Sequence, residues 1–317
     1  CADADGGRSW IVRCPVYARH LILVMPAEAE ELEPGAVPPD ETVAARVGDC
    51  VVGVSEPVPL ADTATGYRQA FHALAVAREL PTRHARFGVS PDSALVVGPA
   101  GHRWADELLN PLLTHVPRRA QDPGSQELLA TAASWLAFSS HATDHLKVHR
   151  NTLAARLRLI GELLGLDLHR LADQAALDLA LRVHSTPAPA CTPEPAQSGS
   201  PASGTSAAGS PASGTSEAAG GLDAILVRPA VRDWADQQLA PVLGAEETLR
   251  TWVRCEGRIG PAAAELGISV PGARKRLTRL ETVLQRSLLR PPSARYDLWL
   301  ALRSRDLAAA AQAAQIA

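Results

Sequence analysis

The chain has 317 residues and is almost without lysine: Lys147 and Lys275 are its two, so nearly all of its positive charge is arginine. Aromatics are also scarce at 4%, which disfavours a large β-sandwich and favours Ala/Leu-rich helices. The cysteines, Cys1, Cys14, Cys50, Cys191 and Cys255, are odd in number and widely spaced, with no Cys-x-x-Cys pair. That pattern indicates neither a disulfide framework nor a zinc site, and it reads as small buried thiols in a reducing cytosol. Long apolar runs are missing too. Leu21-Ile22-Leu23-Val24-Met25 is far shorter than the roughly 20 residues that span a bilayer, and no secretory signal opens the chain. It begins at Cys1 rather than Met, so an upstream segment is expected.

Signatures of catalysis are equally short. Gly98-Pro99-Ala100-Gly101 fits neither phosphate-loop nor dinucleotide spacing, and there is no Gly-x-Ser-x-Gly elbow. His141, His145 and His149 recur every four residues but straddle a turn, so they do not share one helical face from which to converge on a metal. Gly48-Asp49 precedes a strand-like Cys50–Val54 and lacks the paired carboxylates that magnesium chemistry needs. The expectation is a protein that is not an enzyme, with no catalytic, cofactor or metal residues. The tryptophans at 104, 135, 234, 252 and 299 sit in helical patterns and read as core anchors.

What is present begins with length and a 46% hydrophobic content, enough for two or three cored domains. The net charge of −3 does not mark a DNA-binding protein as a whole. Nucleic-acid binding, however, depends on a local basic face rather than on the sum.

Composition divides the chain. Residues 1–97 read as a small α/β or α+β domain, with strands at Trp10–Cys14, His20–Val24 and Cys50–Val54 and an edge strand at Arg86–Val89. Between them, Tyr67, Ala70, Phe71, Leu74 and Ala77 place a helical stripe within a helix over 61–79. Residues 98–184 and 222–317 read as two helical domains. Trp104-Ala105-Asp106 opens the first and Trp234-Ala235-Asp236 the second. Between them, 185–221 is nearly all Pro, Ser, Gly, Ala and Thr, and the heptapeptide Ser-Pro-Ala-Ser-Gly-Thr-Ser occurs at 200–206 and 210–216. Such a stretch cannot bury enough apolar surface to offset its ordering and reads as a disordered linker. Its expected span is about 35 Å, close to one turn of duplex DNA at roughly 34–36 Å.

The most informative pattern occurs twice. Residues 146–157 and 266–277 align at a constant offset of 120 positions. In each, a short helix ending in Leu passes through a tight turn into a basic helix. In the second copy, Gly267 suits the left-handed end of the first helix, Ser269 caps the next, and Pro271 fits its first turn. Ala273, Leu277, Leu280 and Leu284 make the buried stripe, and Arg274, Lys275, Thr278 and Arg279 face outward. Leu153, Leu157, Ile160 and Leu164 are the stripe of the first copy. The pattern is that of a helix-turn-helix whose second helix enters the major groove. His149, Arg150, Asn151 and Thr152 sit at the turn and first helical positions. Arg suits guanine O6 and N7, Asn suits adenine, and Thr suits phosphate or a thymine methyl. Arg156 and Arg276 are candidate phosphate or positioning contacts, with packing along the domain surface as the alternative. The expected DNA-binding residues are therefore His149, Arg150, Asn151, Thr152, Arg156, Ser269, Arg274, Lys275, Arg276 and Arg279.

His149-Arg150-Asn151-Thr152-Leu153, Arg156-Leu157, Ile160 and Leu163-Leu164-Gly165-Leu166-Asp167-Leu168 closely resemble the C-terminal helix-turn-helix of PucR/CdaR-type transcriptional regulators. Gly53-Val54-Ser55-Glu56-Pro57-Val58 with Gly66-Tyr67-Arg68-Gln69-Ala70-Phe71 resembles the GGDEF-like domain that precedes that reader in the same family. The resemblance implies an α+β protein: a GGDEF-like sensing or dimerisation domain followed by two mainly α helix-turn-helix domains. It also implies a bacterial, cytoplasmic, nucleoid-associated regulator that binds double-stranded promoter DNA as a homodimer, with a small-molecule effector of unspecified chemistry and RNA polymerase as further partners. There are two departures. Ser269-Val270-Pro271-Gly272 replaces His149-Arg150-Asn151-Thr152, so the second copy either reads different DNA or serves dimerisation and protein contact. The first copy is shorter ahead of its turn, with Trp135 to Leu146 against Trp252 to Leu266, and its first helix is expected to be clipped.

Overall fold

The computed structural model describes residues 9–17, 19–26, 43–44, 50–78, 80–87, 92–119, 121–186 and 221–316. The linker reading, Gly48-Asp49, Gly88-Val89, Cys1 and Cys191 fall outside the described residues. The architecture is mainly helical with two small sheets, an α+β organisation. Among the described residues no helix is long and apolar enough to cross a membrane.

The N-terminal part holds β1 (Trp10–Arg13) antiparallel to β2 (Leu21–Val24), with Trp10 opposite Val24. A second sheet pairs β3 (Val52–Val54) in parallel with β4 (His84–Arg86), and α1 (Thr63–Ala77) crosses between them. The expected edge strand at 86–89 thus lies two residues earlier, with Phe87 turned into a small core beside Ala73, Val76, Ala77 and Ala85. Gly53 explains how closely α1 lies on β3: a Cβ there would stand 2.3 Å from the Ala70 carbonyl oxygen and the Leu74 nitrogen. Only glycine permits that approach.

Two helical units follow, with the same element order. The first comprises α2 (Ser93–Val96), α3 (Gly98–Leu113), α4 (Ser125–Phe138), α5 (Ala142–Leu146), α6 (Arg150–Leu164) and α7 (Leu171–Ser185). The second comprises a helical segment at 221–226, then α8 (Pro229–Leu239), α9 (Glu246–Arg254), α10 (Ile259–Glu265), α11 (Val270–Leu284) and α12 (Arg295–Ile316). In each, the opening helix lies along the closing one: α3 on α7, and α8 on α12. Trp104, Trp234 and Trp252 are buried anchors as expected, whereas Trp135 and Trp299 are only partly buried against the same core.

The two units do not form separate cores. One continuous apolar cluster runs from Ala94 through Leu128, Ile160 and Leu177 to Trp234, Leu277 and Leu302. The seam is α7 against α12, and the small helices cross it: α2 packs on α8, and Gly221 lies against the Trp104 ring. Polar contacts stitch the seam. Tyr296 is buried and its hydroxyl reaches Gln174 Oε1 (3.3 Å) and the Leu136 carbonyl (3.5 Å), while Glu256 accepts the Leu171 N–H.

At its edge three arginines meet three aspartates. Arg182 of α7 donates to Asp92 (2.8 Å), Asp178 (2.9 Å) and Asp297 of α12 (2.7 Å). Arg68 of α1 also holds Asp92 (2.7 Å), and Arg286 lies 3.5 Å from Asp297. The set is charge-balanced, which is the condition under which ions tolerate burial. Burial alone would push Asp297 up, but Arg182 and Arg286 more than offset it and hold the carboxyl well below its ordinary range. Asp178 is instead raised, because burial outweighs the attraction of Arg182.

The N-terminal part docks on both units. Tyr17 donates to the Pro291 carbonyl (2.7 Å), Tyr67 meets the Phe138 ring edge-on (5.9 Å), and His72 Nδ1 accepts the Ser287 N–H (3.1 Å). Burial, with help from Arg286 and Arg68, lowers the His72 pKa to about 3. The ring is therefore neutral, as an acceptor at Nδ1 requires.

Candidate nucleic-acid interface

Each unit builds its turn by a backbone closure of one kind. In the first, Lys147 adopts a left-handed conformation (φ 53°, ψ 42°) and the Val148 N–H returns to the Thr143 carbonyl at 3.2 Å. In the second, Gly267 is left-handed (φ 65°) and the Ile268 N–H returns to the Ala263 carbonyl at 3.0 Å. These six-to-one bonds end α5 and α10 and satisfy their last carbonyls. The chain then extends for one residue, His149 or Ser269, and starts the next helix. The clipped first helix is observed: α5 has five residues and α10 seven.

The N-caps differ chemically. Ser269 Oγ accepts the Gly272 N–H at 3.2 Å, a conventional hydroxyl cap. His149 caps α6 through its ring, with Nδ1 accepting the Asn151 N–H at 3.2 Å. An Nδ1 lone pair used in this way puts the proton of a neutral ring on Nε2, so His149 offers an outward donor at the mouth of the helix. Arg150, Asn151 and Thr152 follow, all exposed. The site joins exposed side chains to the positive end of a helix dipole, a combination suited to phosphate and base edges.

On α11 the outward face is basic. Arg274, Lys275, Arg276 and Arg279 are exposed and make no intramolecular ion pair among the described residues. With Val270, Pro271 and Thr278, three of them (Arg274, Lys275 and Arg279) line an open, shallow concavity on the helix. Its single carboxylate, Glu281, is turned to the far end, where it accepts the N–H groups of Leu288 (2.7 Å) and Leu289 (2.9 Å). The basic face is therefore not neutralised from within its own helix.

Arg156 and Arg276 occupy matching positions and behave differently. Arg156 reaches back to Glu127 (3.0 Å) and Thr131 (3.4 Å) of α4, and its side chain is 18% exposed. It braces α6 against α4. Arg276 is exposed and has no such brace among the described residues, so of the two it alone is presented outward. The other histidines have local work: His145 Nδ1 shares a 2.7 Å hydrogen bond with Ser134, and His141 packs on the Tyr17 ring at 5.1 Å.

Two exposed cations on these elements were not singled out from sequence. Lys147 stands at the left-handed turn itself, and Arg158 lies two turns along α6 from Arg150. A helical-wheel count from Arg150 (i, i+4, i+8) was the signal that would have found Arg158.

Comparison with known families fits this geometry. The model of the PucR C-terminal helix-turn-helix domain matches residues 128–183 and again 246–304, together about a third of the chain. The first match runs from α4 to α7 and the second from α9 to α12, so each contains one turn and one following helix of the kind described. Both segments are thus similar to helix-turn-helix domains of PucR type, a type of DNA-binding transcriptional regulators. Comparison with curated proteins and with solved structures gave no significant match.

Proposed function

We propose that the chain is a sequence-specific regulator of transcription of PucR/CdaR type, in which α6 and α11 both enter the major groove of duplex DNA. The observation that carries this reading is the paired presentation of exposed contact groups, with the cations of α11 making no ion pair among the described residues. His149, Arg150, Asn151 and Thr152 stand at one helix start, and Ser269, Arg274, Lys275, Arg276 and Arg279 on the other helix. In the first unit, Arg150 and Asn151 read base edges and His149 and Thr152 set the register on phosphate. In the second, Ser269 stands exposed at the start of the helix and the four cations supply affinity. Arg156 acts through α4 as a positioning residue. Residues 1–97 are a GGDEF-like sensing unit, and an effector, a second copy of the chain and RNA polymerase are its expected partners.

The second reading, that α11 serves protein contact, rests on Val270-Pro271-Gly272 in place of Arg150-Asn151-Thr152. Selection from random duplexes followed by footprinting separates the two. Recovery of a defined motif whose protection shrinks when Arg274, Lys275 and Arg279 are replaced by Ala supports DNA reading by both units. Unchanged protection assigns the second unit to protein contact. Failure to recover any motif, with binding equal on all sequences, overturns the regulator reading.

A further inference from the structure

We infer that one chain holds its two readers as a single rigid pair, so that each copy of the chain covers a whole asymmetric, bipartite duplex site by itself. The inference rests on the DNA reading above and goes beyond it by naming the form of the DNA. Two readers on a flexible tether would each own a closed core and meet through a wet, polar contact. Here the apolar cluster passes through the seam without a break. The seam is crossed by buried and half-buried polar ties: Tyr296 to Gln174 and Leu136, Arg182 to Asp297, and Ser93 to Asp297 at 3.1 Å. Arg295 adds a bond from α12 to Ser139 at 3.5 Å, beside the start of α5. Tyr296 thus joins α12 to both α7 and α4, and Arg295 joins it to the residue between α4 and α5, one short helix ahead of the turn that starts α6. The separation and angle of the two contact helices are thereby set by packing.

Asymmetry follows from side chains. A homodimer presents one set of contacts twice and selects a palindrome. This chain presents Arg150-Asn151-Thr152 on one side and Val270-Pro271-Gly272 with Arg274 and Lys275 on the other. The two half-sites therefore differ in sequence, and one polypeptide covers both.

Two experiments test this, one of them without DNA. A site-specific protease sequence placed between Gly204 and Thr205 of the full chain allows it to be cut after folding. Co-elution of the two fragments as one species of the original size is expected, and their separation at micromolar concentration overturns the rigid pair. For the second, the motif recovered by selection is rebuilt with 5 and with 10 base pairs inserted between its halves. Affinity is expected to fall at least about tenfold in both, since fixed readers follow neither a rotated nor a distant half-site. Deleting residues 201–210 is expected to leave the preferred spacing unchanged. Tolerance of the 10-base-pair insertion, or a palindromic motif bound by two chains, overturns the inference while leaving DNA reading intact. Absence of any motif overturns the DNA reading itself, and the co-elution result then still decides whether the pair is rigid.

Discussion

Arg182 Nη2 donates to Asp297 Oδ1 at 2.7 Å across the seam between α7 and α12, and the same guanidinium holds Asp92 and Asp178. Removing either member leaves the half-buried cluster of three arginines and three aspartates with one uncompensated charge. Arg182→Ala and Asp297→Ala are each expected to cost about 3–5 kcal/mol, read as a fall in the urea midpoint. The double variant is expected to lose less than the sum of the two, because the second deletion removes the charge the first one orphaned. Additive losses would show that the pair is not coupled.

Acid is expected to loosen the N-terminal unit through His72. Its folded pKa of about 3 lies below the ordinary 6.5, so between those values the unfolded chain binds a proton that the folded chain refuses. Stability is full above about pH 6.5 and is lost as pH falls toward 3, at up to about 1.4 kcal/mol per pH unit. His72→Asn keeps an acceptor for the Ser287 N–H and cannot titrate, so the slope between pH 6 and 4 should flatten. Asp297, held below its ordinary 3.8, adds a further loss only below that value. An unchanged slope in the variant would assign the acid sensitivity elsewhere.

The matching arginines should separate in one assay. Arg276→Ala is expected to weaken DNA binding and reduce the slope of log affinity against log salt by about 0.9, the value of one phosphate contact. Arg156→Ala is expected to leave the slope unchanged and lower stability by up to about 1 kcal/mol, since its bridge to Glu127 is partly exposed. Equal effects on the slope would contradict the bracing role.

Asn151→Ala should change what is read rather than how tightly. Loss of discrimination of about 1–3 kcal/mol at a single base pair is expected, measured by binding to a panel of point-substituted duplexes. A uniform loss across the panel would make Asn151 a backbone contact.

The two turns offer a paired substitution. Lys147→Gly relieves a side chain at φ 53°, while Gly267→Ala imposes one at φ 65°. The second change is expected to cost about 1–2 kcal/mol and the first to be neutral or mildly stabilising, because only glycine enters the left-handed region without penalty. Thermal melts of both variants check the opposite signs.

Local elements were legible where the chain's own chemistry decides them. The turn residues, the Ser269 cap and the stripe of Ala273, Leu277 and Leu280 depend on neighbours a few positions away, and the structure has them as read. Leu157 and Leu284 sit at the margin of their stripes and are only partly buried. The fate of Arg156 was not legible, because Glu127 and Thr131 lie on another helix and nothing local marks them as partners. His149 as a ring cap was likewise hidden, since its donor is a backbone N–H rather than a side chain. The largest surprise is the common core. A low-complexity stretch between two helical blocks suggested two bodies, yet the residues that join them, Asp92, Gln174, Tyr296 and Asp297, are scattered over some two hundred positions. No window of sequence contains the seam.

The replacement of Arg150-Asn151-Thr152 by Val270-Pro271-Gly272 in the same polypeptide also has a consequence for how such a protein changes over generations. A regulator that reads a palindrome with identical subunits alters both arms of its target whenever one contact codon mutates, so target and reader must shift together in two places. If both contact sets read DNA as proposed, a substitution at Asn151 is felt by one arm only. Each arm is then free to drift, one step at a time, while the other keeps the complex on its promoter.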